Sequence, residues 1–207
     1  MEQSIFNITA QNNQVEFRIV AALERLSEAF RVLLWNEAKV LNISPIQIQI
    51  LIFLKFHTLE KCKVSYLAQE FNMTKATISD AVKVLLQKGL IEKETDTEDT
   101  RSYTMRLTDV GETTISQAAL FANPLLKSFD TLTNEQKEIL LDSLLQMIFR
   151  LHKAGIITIQ RMCQTCQYLE NSDLSRGNRE GGHYCKLLNK PLLKSEFRMD
   201  CPEHVFM

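Results

Sequence analysis

The strongest constraint on the fold is a change of sequence periodicity in the middle of the chain. Residues Val64–Phe71 have the spacing of a short helix, and Thr74 is a suitable N-cap for a second helix that ends at Gly89. Apolar and polar residues then alternate from Tyr103 to Thr108, which indicates a β-strand. Its partner is predicted at Leu90–Glu94, and the polar stretch between the two strands would form a hairpin tip. This order of elements predicts a winged helix-turn-helix.

Long amphipathic helices are predicted on both sides of this motif. Apolar residues recur at helical spacing from Val15 to about Leu41, and Ser44-Pro45 marks the start of a helix to about Phe56. After the hairpin, a helix begins at Asp109, and Pro124 should kink or break it. The sequence "TNEQ" at 133–136 fits a capping box for a last helix that reaches about Ala154.

The predicted fold is therefore mainly α, with a two-stranded β wing. We divide the chain into a flexible N-terminus (1–13), a winged-helix and dimerisation domain (14–154) and a cysteine-rich tail (155–207). Wide apolar faces on the long flanking helices favour a homodimer.

The composition is that of an ordinary soluble globular protein. Of the 207 residues, 45% are hydrophobic and 24% are charged, and the scarcity of Gly (6) and Pro (4) favours helices. The N-terminus lacks the pattern of a signal peptide, and the longest apolar run is too short to span a membrane. We therefore expect a cytoplasmic protein with no membrane partner. The net charge of −1 gives no general sign of nucleic-acid binding, so a local motif must carry that function.

The segment 67–111 resembles the MarR family of bacterial transcriptional regulators. The similarity rests on "LAQEFNMTKATISDAVKVLLQKGLI", on the wing sequence "DTRSYTMRLT" and on a glycine three residues after Thr108. It extends over about residues 14–154 and leaves the tail uncovered. It implies a homodimeric regulator, in most cases a repressor, that binds double-stranded DNA at a palindromic operator. It also implies a pocket for a small-molecule effector between the dimer helices and the DNA-binding lobe.

The predicted recognition helix has one apolar and one polar face. Ile78, Ala81, Val82 and Leu85 share the face that should be buried. The opposite face can enter the major groove of DNA, where Thr77 and Ser79 would reach base edges and Lys75 and Lys83 would meet phosphates. Asp80 is unusual there, because an acid repels phosphate unless it accepts a hydrogen bond from a cytosine amino group.

The wing supplies two further candidate residues. By the resemblance, Arg101 reaches the minor groove, where narrow A·T-rich segments concentrate negative potential. Asp99 would orient its guanidinium group. The predicted DNA-binding residues are thus Lys75, Thr77, Ser79, Asp80, Lys83, Asp99 and Arg101.

Four cysteines in the tail predict a metal or redox site. Cys163 and Cys166 form a Cys-x-x-Cys pair, Cys185 follows after 18 residues and Cys201 after 15 more. In a reducing compartment such clusters bind metals more often than they form disulfides. We expect one Zn²⁺ ion bound by the four thiolates, with an iron–sulfur cluster or metal-free thiols as alternatives. His183 or His204 is an alternative fourth ligand.

Two other functional classes, an enzyme and a protein-interaction module, compare less well with the sequence. An enzyme with catalytic zinc is disfavoured because the sequence has no His-Glu-x-x-His and no deaminase motif. A protein-interaction module that does not bind DNA is the remaining alternative, favoured by Asp80 and the near-neutral charge. We interpret Cys62, His57 and His152 as packing or surface residues.

Overall fold

The computed structural model describes residues 4–95, 103–171 and 182–207. In chain order the helices and strands are α1 (Ile8–Asn13), α2 (Val15–Leu41), α3 (Pro45–Phe56), α4 (Val64–Glu70), α5 (Lys75–Gln87), β1 (Ile91–Thr95), β2 (Tyr103–Leu107), α6 (Asp109–Ala118), α7 (Asn123–Leu126), α8 (Asn134–Lys153), β3 (Leu169–Asn171), β4 (His183–Cys185) and β5 (Lys190–Leu192). Short 3-10 turns occur at Leu59–Lys61, Lys127–Phe129, Cys163–Thr165 and Lys194–Glu196.

The main core joins α3, α4 and α5 to the β1–β2 hairpin and to α6. Its fully buried side chains come from each of these elements and include Ile48, Leu51, Leu67, Ile78, Leu85, Met105 and Ile115. β1 and β2 pair antiparallel, with Ile91 opposite Leu107 and Thr95 opposite Tyr103. The predicted winged helix-turn-helix, mainly α with a two-stranded wing, is confirmed.

The helix starts follow the local capping signals. The side chain of Gln47 accepts a hydrogen bond from the Ser44 amide at 2.8 Å and closes a capping box at α3. Thr133 and Gln136 form the same arrangement at α8. Gly89 follows the end of α5 with φ +65°, a conformation that costs glycine little because it has no Cβ.

Two elements differ from the sequence-based expectation. We predicted a flexible start for residues 1–13, but Ile8–Asn13 form the short helix α1, and the Asn7 side chain accepts a hydrogen bond from the amide of Ala10. The helix from Asp109 ends at Ala118, several residues before Pro124, which lies in the first turn of α7. Pro124 therefore starts a new helix after the break.

Helix α2 presents a wide apolar surface to solvent. Of its 27 residues, all within the described part of the chain, Leu34 and Ala38 alone are buried. Leu26, Val32 and Trp35 are each more than half exposed, at 58%, 53% and 55%. Among the described residues no single helix is long and apolar enough to cross a membrane; α2 and α3 pass that test only together, and they meet at 90°.

The tail forms a small lobe of its own on α8. Strands β3, β4 and β5 make a three-stranded antiparallel sheet in that order, and Cys166 bridges to Phe206 near the C-terminus. A second buried cluster joins the α8 residue Leu145 to three tail residues, Met162, Leu192 and Phe197. The tail therefore takes part of its apolar core from the last helix of the preceding domain.

Candidate nucleic-acid interface and cysteine pocket

Helix α5 is held against the core by the four residues that the sequence predicted. Ile78, Ala81, Val82 and Leu85 are all buried, with at most 7% of each residue exposed. At the N-terminus of α5, the Thr74 hydroxyl accepts a hydrogen bond from the Thr77 amide at 3.1 Å. The buried stripe and this cap fix which side of α5 faces outward.

The outward side of α5 carries the predicted contact residues. Lys75, Thr77, Ser79, Asp80 and Lys83 are all exposed. The Thr77 hydroxyl lies 2.8 Å from the Thr74 hydroxyl, so part of its hydrogen-bonding capacity is used within the helix cap. Small and polar residues thus occupy the first two turns, which gives a helix narrow enough to approach base edges.

The wing is a two-stranded antiparallel ribbon formed by β1 and β2. On its surface Lys93 stacks over the Tyr103 ring at 4.2 Å, and Arg106 forms an ion pair with Glu94. At its base, the Met105 amide donates a hydrogen bond to the Cys62 carbonyl at 2.9 Å. Asp99 and Arg101, the two predicted wing contacts, lie outside the described residues.

Comparison with known proteins identifies this part of the molecule. The family model described as "MarR family" matches residues 41–102, which run from the end of α2 to the residue before β2. This winged helix is a MarR-family domain. A comparison with curated protein sequences gave no match.

Solved structures resemble the MarR-family domain at the level of fold. The S. aureus MepR–DNA complex has a TM-score of 0.57 at 21% identity, over 64% of this chain and 97% of MepR. MepR in its DNA-binding conformation has a TM-score of 0.57 at 20% identity, covering 64% of this chain and 98% of MepR. A MarR-family transcriptional regulator from Silicibacter pomeroyi has a TM-score of 0.55 at 20% identity, over 69% of this chain and 94% of that one. About a third of this chain therefore lies outside each of these matches.

The four tail cysteines surround one pocket beside the MarR-family domain. Its lining combines these thiols with four leucines, one tyrosine and three charged residues, namely Cys163, Cys166, Cys185, Cys201, Leu169, Leu187, Leu188, Leu192, Tyr168, Glu196, Arg198 and Glu203. The pocket is small, with a cavity volume of about 30 Å³. Strand β4 brings Cys185 to the pocket, and the 3-10 turn at Cys163–Thr165 brings the Cys-x-x-Cys pair. The sequence thus correctly grouped the four thiols in space.

Hydrogen bonds from Arg198 reach two of the thiols. Its amide donates to the Cys163 sulfur at 3.2 Å, and its guanidinium group lies 3.6 Å from the Cys201 sulfur. Burial raises the pKa of the Cys163 thiol, and the hydrogen bond from the Arg198 backbone partly opposes this shift. Within the described part of the chain, no three His, Cys, Asp or Glu side chains are arranged to hold a metal ion.

The two histidines proposed as alternative ligands have other neighbours. The His204 ring nitrogen Nε2 lies 2.9 Å from the Thr165 hydroxyl, and its ring packs edge-on against Phe206. The His183 ring packs against Phe197 at 4.8 Å between centroids. Cys62, the fifth cysteine, is 1% exposed in the main core, and burial, followed by the charge of Glu60, raises its pKa to about 11.

A buried arginine joins the tail to the MarR-family domain. Arg161 is 5% exposed, and its guanidinium group donates to both carboxylate oxygens of Glu70, at 2.5 and 3.0 Å, and to the Tyr66 hydroxyl at 2.9 Å. It also donates to both oxygens of Asp200, at 2.6 and 2.9 Å. Glu70 and Tyr66 lie on α4, the first helix of the helix-turn-helix, whereas Asp200 directly precedes Cys201.

Electrostatics hold this network in its charged form. Burial disfavours the Arg161 charge, but hydrogen bonds to Asp200 and Glu70 outweigh it and raise the pKa of Arg161. Burial likewise opposes ionisation of Asp200, yet hydrogen bonds from Arg161 and His57 lower its pKa to about 2. His57 stacks on Phe53 at 3.8 Å and lies 2.8 Å from Asp200. The role of Arg161 was not predicted from the sequence. The one local signal was its position, two residues before the Cys-x-x-Cys pair.

Proposed function

We propose that this protein is a DNA-binding transcriptional regulator that acts as a homodimer on a palindromic operator. The observation that carries the proposal is α5, whose apolar face is buried and whose first two turns expose small polar and basic side chains. This pattern suits a recognition helix that lies in the major groove. The MepR–DNA complex, which shares the fold, supports the same use of the domain.

Each exposed residue of α5 has a role that follows from its chemistry. Thr77 and Ser79 would read base edges, because a hydroxyl can both donate and accept a hydrogen bond. Lys75 and Lys83 would bind phosphates and set the position of the helix on the duplex. Asp80 would accept a hydrogen bond from a cytosine amino group and discriminate against other bases at that step.

The wing would supply a second contact. Arg101 would enter the minor groove next to the α5 site, and Asp99 would orient its guanidinium group. The β1–β2 ribbon supports this role because the described strands project from the same domain as α5.

Dimerisation would bury the exposed apolar surface of α2. A helix that leaves Leu26, Val32 and Trp35 more than half exposed is a strong candidate for an intermolecular contact. Two subunits related by two-fold symmetry would place their recognition helices about 34–36 Å apart, which matches successive major grooves on one face of DNA.

A cleft next to α5 is the proposed effector site. It has a volume of about 380 Å³ and lies between the C-terminal end of α2, the start of α3 and the end of α5, and Trp35, Gln47, Val84 and Lys88 are among its lining residues. A small molecule bound there would contact both the dimer helix and the recognition helix. We therefore propose a repressor that an effector releases from DNA, rather than an enzyme.

The proposal is tested by binding to the DNA upstream of the protein's own gene at several salt concentrations. Since phosphate contacts release counterions, log affinity should fall linearly with log salt. We expect Lys83→Ala to weaken binding to all sequences and to reduce the magnitude of the salt slope by about 1. Lys127→Ala, which removes an exposed lysine from the 3-10 turn after α7, is the matched control and should leave the slope unchanged.

The alternative class makes a different prediction for the same measurement. If the protein is an interaction module without DNA binding, no salt-dependent binding to any duplex will be measured, even at low ionic strength. Binding that Lys83→Ala and Lys127→Ala weaken equally would place the DNA on a surface other than α5.

A further inference from the structure

Helix α4 is short, and its position is passed on directly to α5. Of its seven residues, all of them described, Leu67 and Ala68 are the two that are buried. Three residues separate its last residue, Glu70, from the N-cap of α5, and the Met73 amide in this turn donates a hydrogen bond to the Ala68 carbonyl at 2.8 Å. A helix this short depends on contacts from outside for its place, and a shift of α4 would move α5 with it.

The tail supplies such contacts at the last turn of α4. Arg161 donates to both carboxylate oxygens of Glu70 and to the Tyr66 hydroxyl, as described above. The Thr158 hydroxyl donates to the carbonyl of Gln69, the residue before Glu70. The tail therefore holds α4 at the end that leads into the recognition helix.

Arg161 is itself fixed to the tail and, through the tail, to α8. Its carbonyl accepts a hydrogen bond from the Cys201 amide at 3.0 Å, and its guanidinium group binds both oxygens of Asp200. The next residue, Met162, is 1% exposed and packs in one cluster with Leu145 of α8. Leu145 is the one buried residue of α8, whose 20 residues are all described, and none of the 20 belongs to the main core. The tail thus connects α8 to the helix-turn-helix.

This connection matters because α8 is one of the long helices that flank the DNA-binding domain. Its apolar residues Ile139 and Leu151 are exposed, at 61% and 39%, as is expected of a helix in a subunit contact. In a two-fold dimer, the separation of the two recognition helices depends on how each helix-turn-helix is held on the dimer helices. A contact that joins α8 to α4 therefore helps to set that separation.

We propose that Arg161 is a positioning residue that fixes the spacing of the two recognition helices in the dimer. It does not touch DNA. It holds the tail on α4, and the docked tail presents α5 at the separation of one pair of half-sites. Without this contact, each helix-turn-helix moves relative to α8, and the dimer loses affinity for the full palindrome. The inference rests on the DNA-binding function proposed above.

Three duplexes from the DNA upstream of the protein's own gene serve as probes. The first is the palindrome that the wild type protects in footprinting, the second is one of its half-sites, and the third is the palindrome with two base pairs inserted at its centre. One turn of DNA has about 10–10.5 base pairs, so the insertion rotates one half-site by about 70° relative to the other.

The main variant is Arg161→Lys, which keeps the charge but cannot bridge Glu70 and Asp200 as the arginine fork does. We expect its affinity for the palindrome to fall at least about fivefold, the lower end of typical coupling between sites, and its affinity for the half-site to stay within about twofold of the wild type. The preference for the palindrome over the inserted duplex should therefore also fall at least about fivefold. Arg150→Lys, at an exposed position of α8, is the control and should match the wild type on all three duplexes.

A second variant breaks the same network from the tail side. Asp200→Asn removes a negative charge, which by electrostatics alone should strengthen binding to any DNA. We expect the opposite on the palindrome, a loss of at least about fivefold, whereas Asp130→Asn, at an exposed position after α7, should show no loss. Circular dichroism and titration of active sites with excess DNA separate lost affinity from lost folded protein. If Arg161→Lys does not fold, Asp200→Asn decides, because the Asp200 side chain is 43% exposed.

The possible failures are distinguishable. Equal losses on the half-site and the palindrome would overturn the spacing role, because α5 itself would then be damaged. Wild-type affinities in both folded variants would also overturn it and would leave the proposed DNA binding standing. A wild type that is monomeric, or that binds no duplex at low salt, would instead overturn the proposed function and the spacing role with it.

Discussion

At the scale of single residues, the neighbouring backbone requires a glycine at position 111. It lies in the first turn of α6, where an added Cβ atom would stand 1.9 Å from the Leu90 carbonyl oxygen. The same oxygen accepts a hydrogen bond from the Thr108 amide at 3.1 Å, which joins the residue before β1 to the residue before α6. Glycine is therefore required by the close approach of two chain segments.

We expect Gly111→Ala to lower the free energy of unfolding by about 1–3 kcal/mol, because the added methyl group must push α6 away from Leu90. Urea unfolding followed by circular dichroism measures the change. Thr113→Ala, on the exposed side of the same helix, is the control and should stay within about 0.5 kcal/mol of the wild type. If Gly111→Ala were as stable as the wild type, α6 could move away from Leu90 without a loss of stability.

Arg161 is a residue whose role depends on distant parts of the sequence. Its partners Asp200, Glu70 and His57 lie 39, 91 and 104 positions away. No local pattern predicts such contacts, since they exist only once the tail has docked on α4. The sequence could therefore predict the grouping of the thiols from their spacing, but not the residue that connects them to the DNA-binding domain.

Replacing Arg161 with methionine should destabilise the protein by about 3–5 kcal/mol, because the carboxylate of Glu70, with 18% of its side chain exposed, would be left in the interface without its partner. Arg25→Met is the matched control, because the Arg25 side chain is 78% exposed and its ion pairs with Glu24 and Glu28 are on the surface. Thermal unfolding compares the two variants. If Arg161→Met and Arg25→Met had similarly small effects, water would be replacing the hydrogen bonds of Arg161 without a loss of stability.

At the scale of elements, helix starts were easier to predict than helix ends. Ser44 and Thr133 each precede a residue that completes a capping box, so α3 and α8 begin where the sequence indicates. The end of α6 at Ala118 has no such signal, because neither glycine nor proline follows within the next four residues. Tertiary packing of Ala118 in the main core accompanies this end, and packing of that kind has no local sequence signature.

The contribution of the wing to DNA binding should depend on the base composition of the DNA. We expect Arg101→Ala to weaken DNA binding by about 1–3 kcal/mol at sites with A·T-rich flanks and by less at G·C-rich flanks, because a narrow minor groove concentrates negative potential. Fluorescence anisotropy with matched duplexes measures the difference. Lys88→Ala, an exposed lysine just after α5, is the control for loss of charge. Equal losses at both kinds of flank would indicate that Arg101 contacts phosphate instead.

At the scale of the whole molecule, the chain combines two lobes that share α8 and the Arg161 network. The resemblance to a known family predicted the lobe that contains α5, because its motifs are local. The tail lobe was harder to predict, since its core includes Leu145 from α8 and its sheet joins strands separated by a long connection. The remaining large-scale feature is the exposed apolar face of α2, which one chain alone leaves in contact with water.

That face leads to a prediction about assembly. We expect the wild type to be a dimer in light scattering at micromolar concentration and Leu26→Glu to be a monomer, because the new carboxylate would have to be buried without a partner in the subunit contact. Asn36→Glu places the same charge at an exposed polar position of α2 and should remain a dimer. The Leu26→Glu monomer should also lose affinity for the full palindrome but keep its weaker affinity for a single half-site, because α5 itself is unchanged. A wild type that is monomeric at this concentration would overturn the proposed dimer. A Leu26→Glu variant that stays dimeric would exclude this part of α2 from the subunit contact.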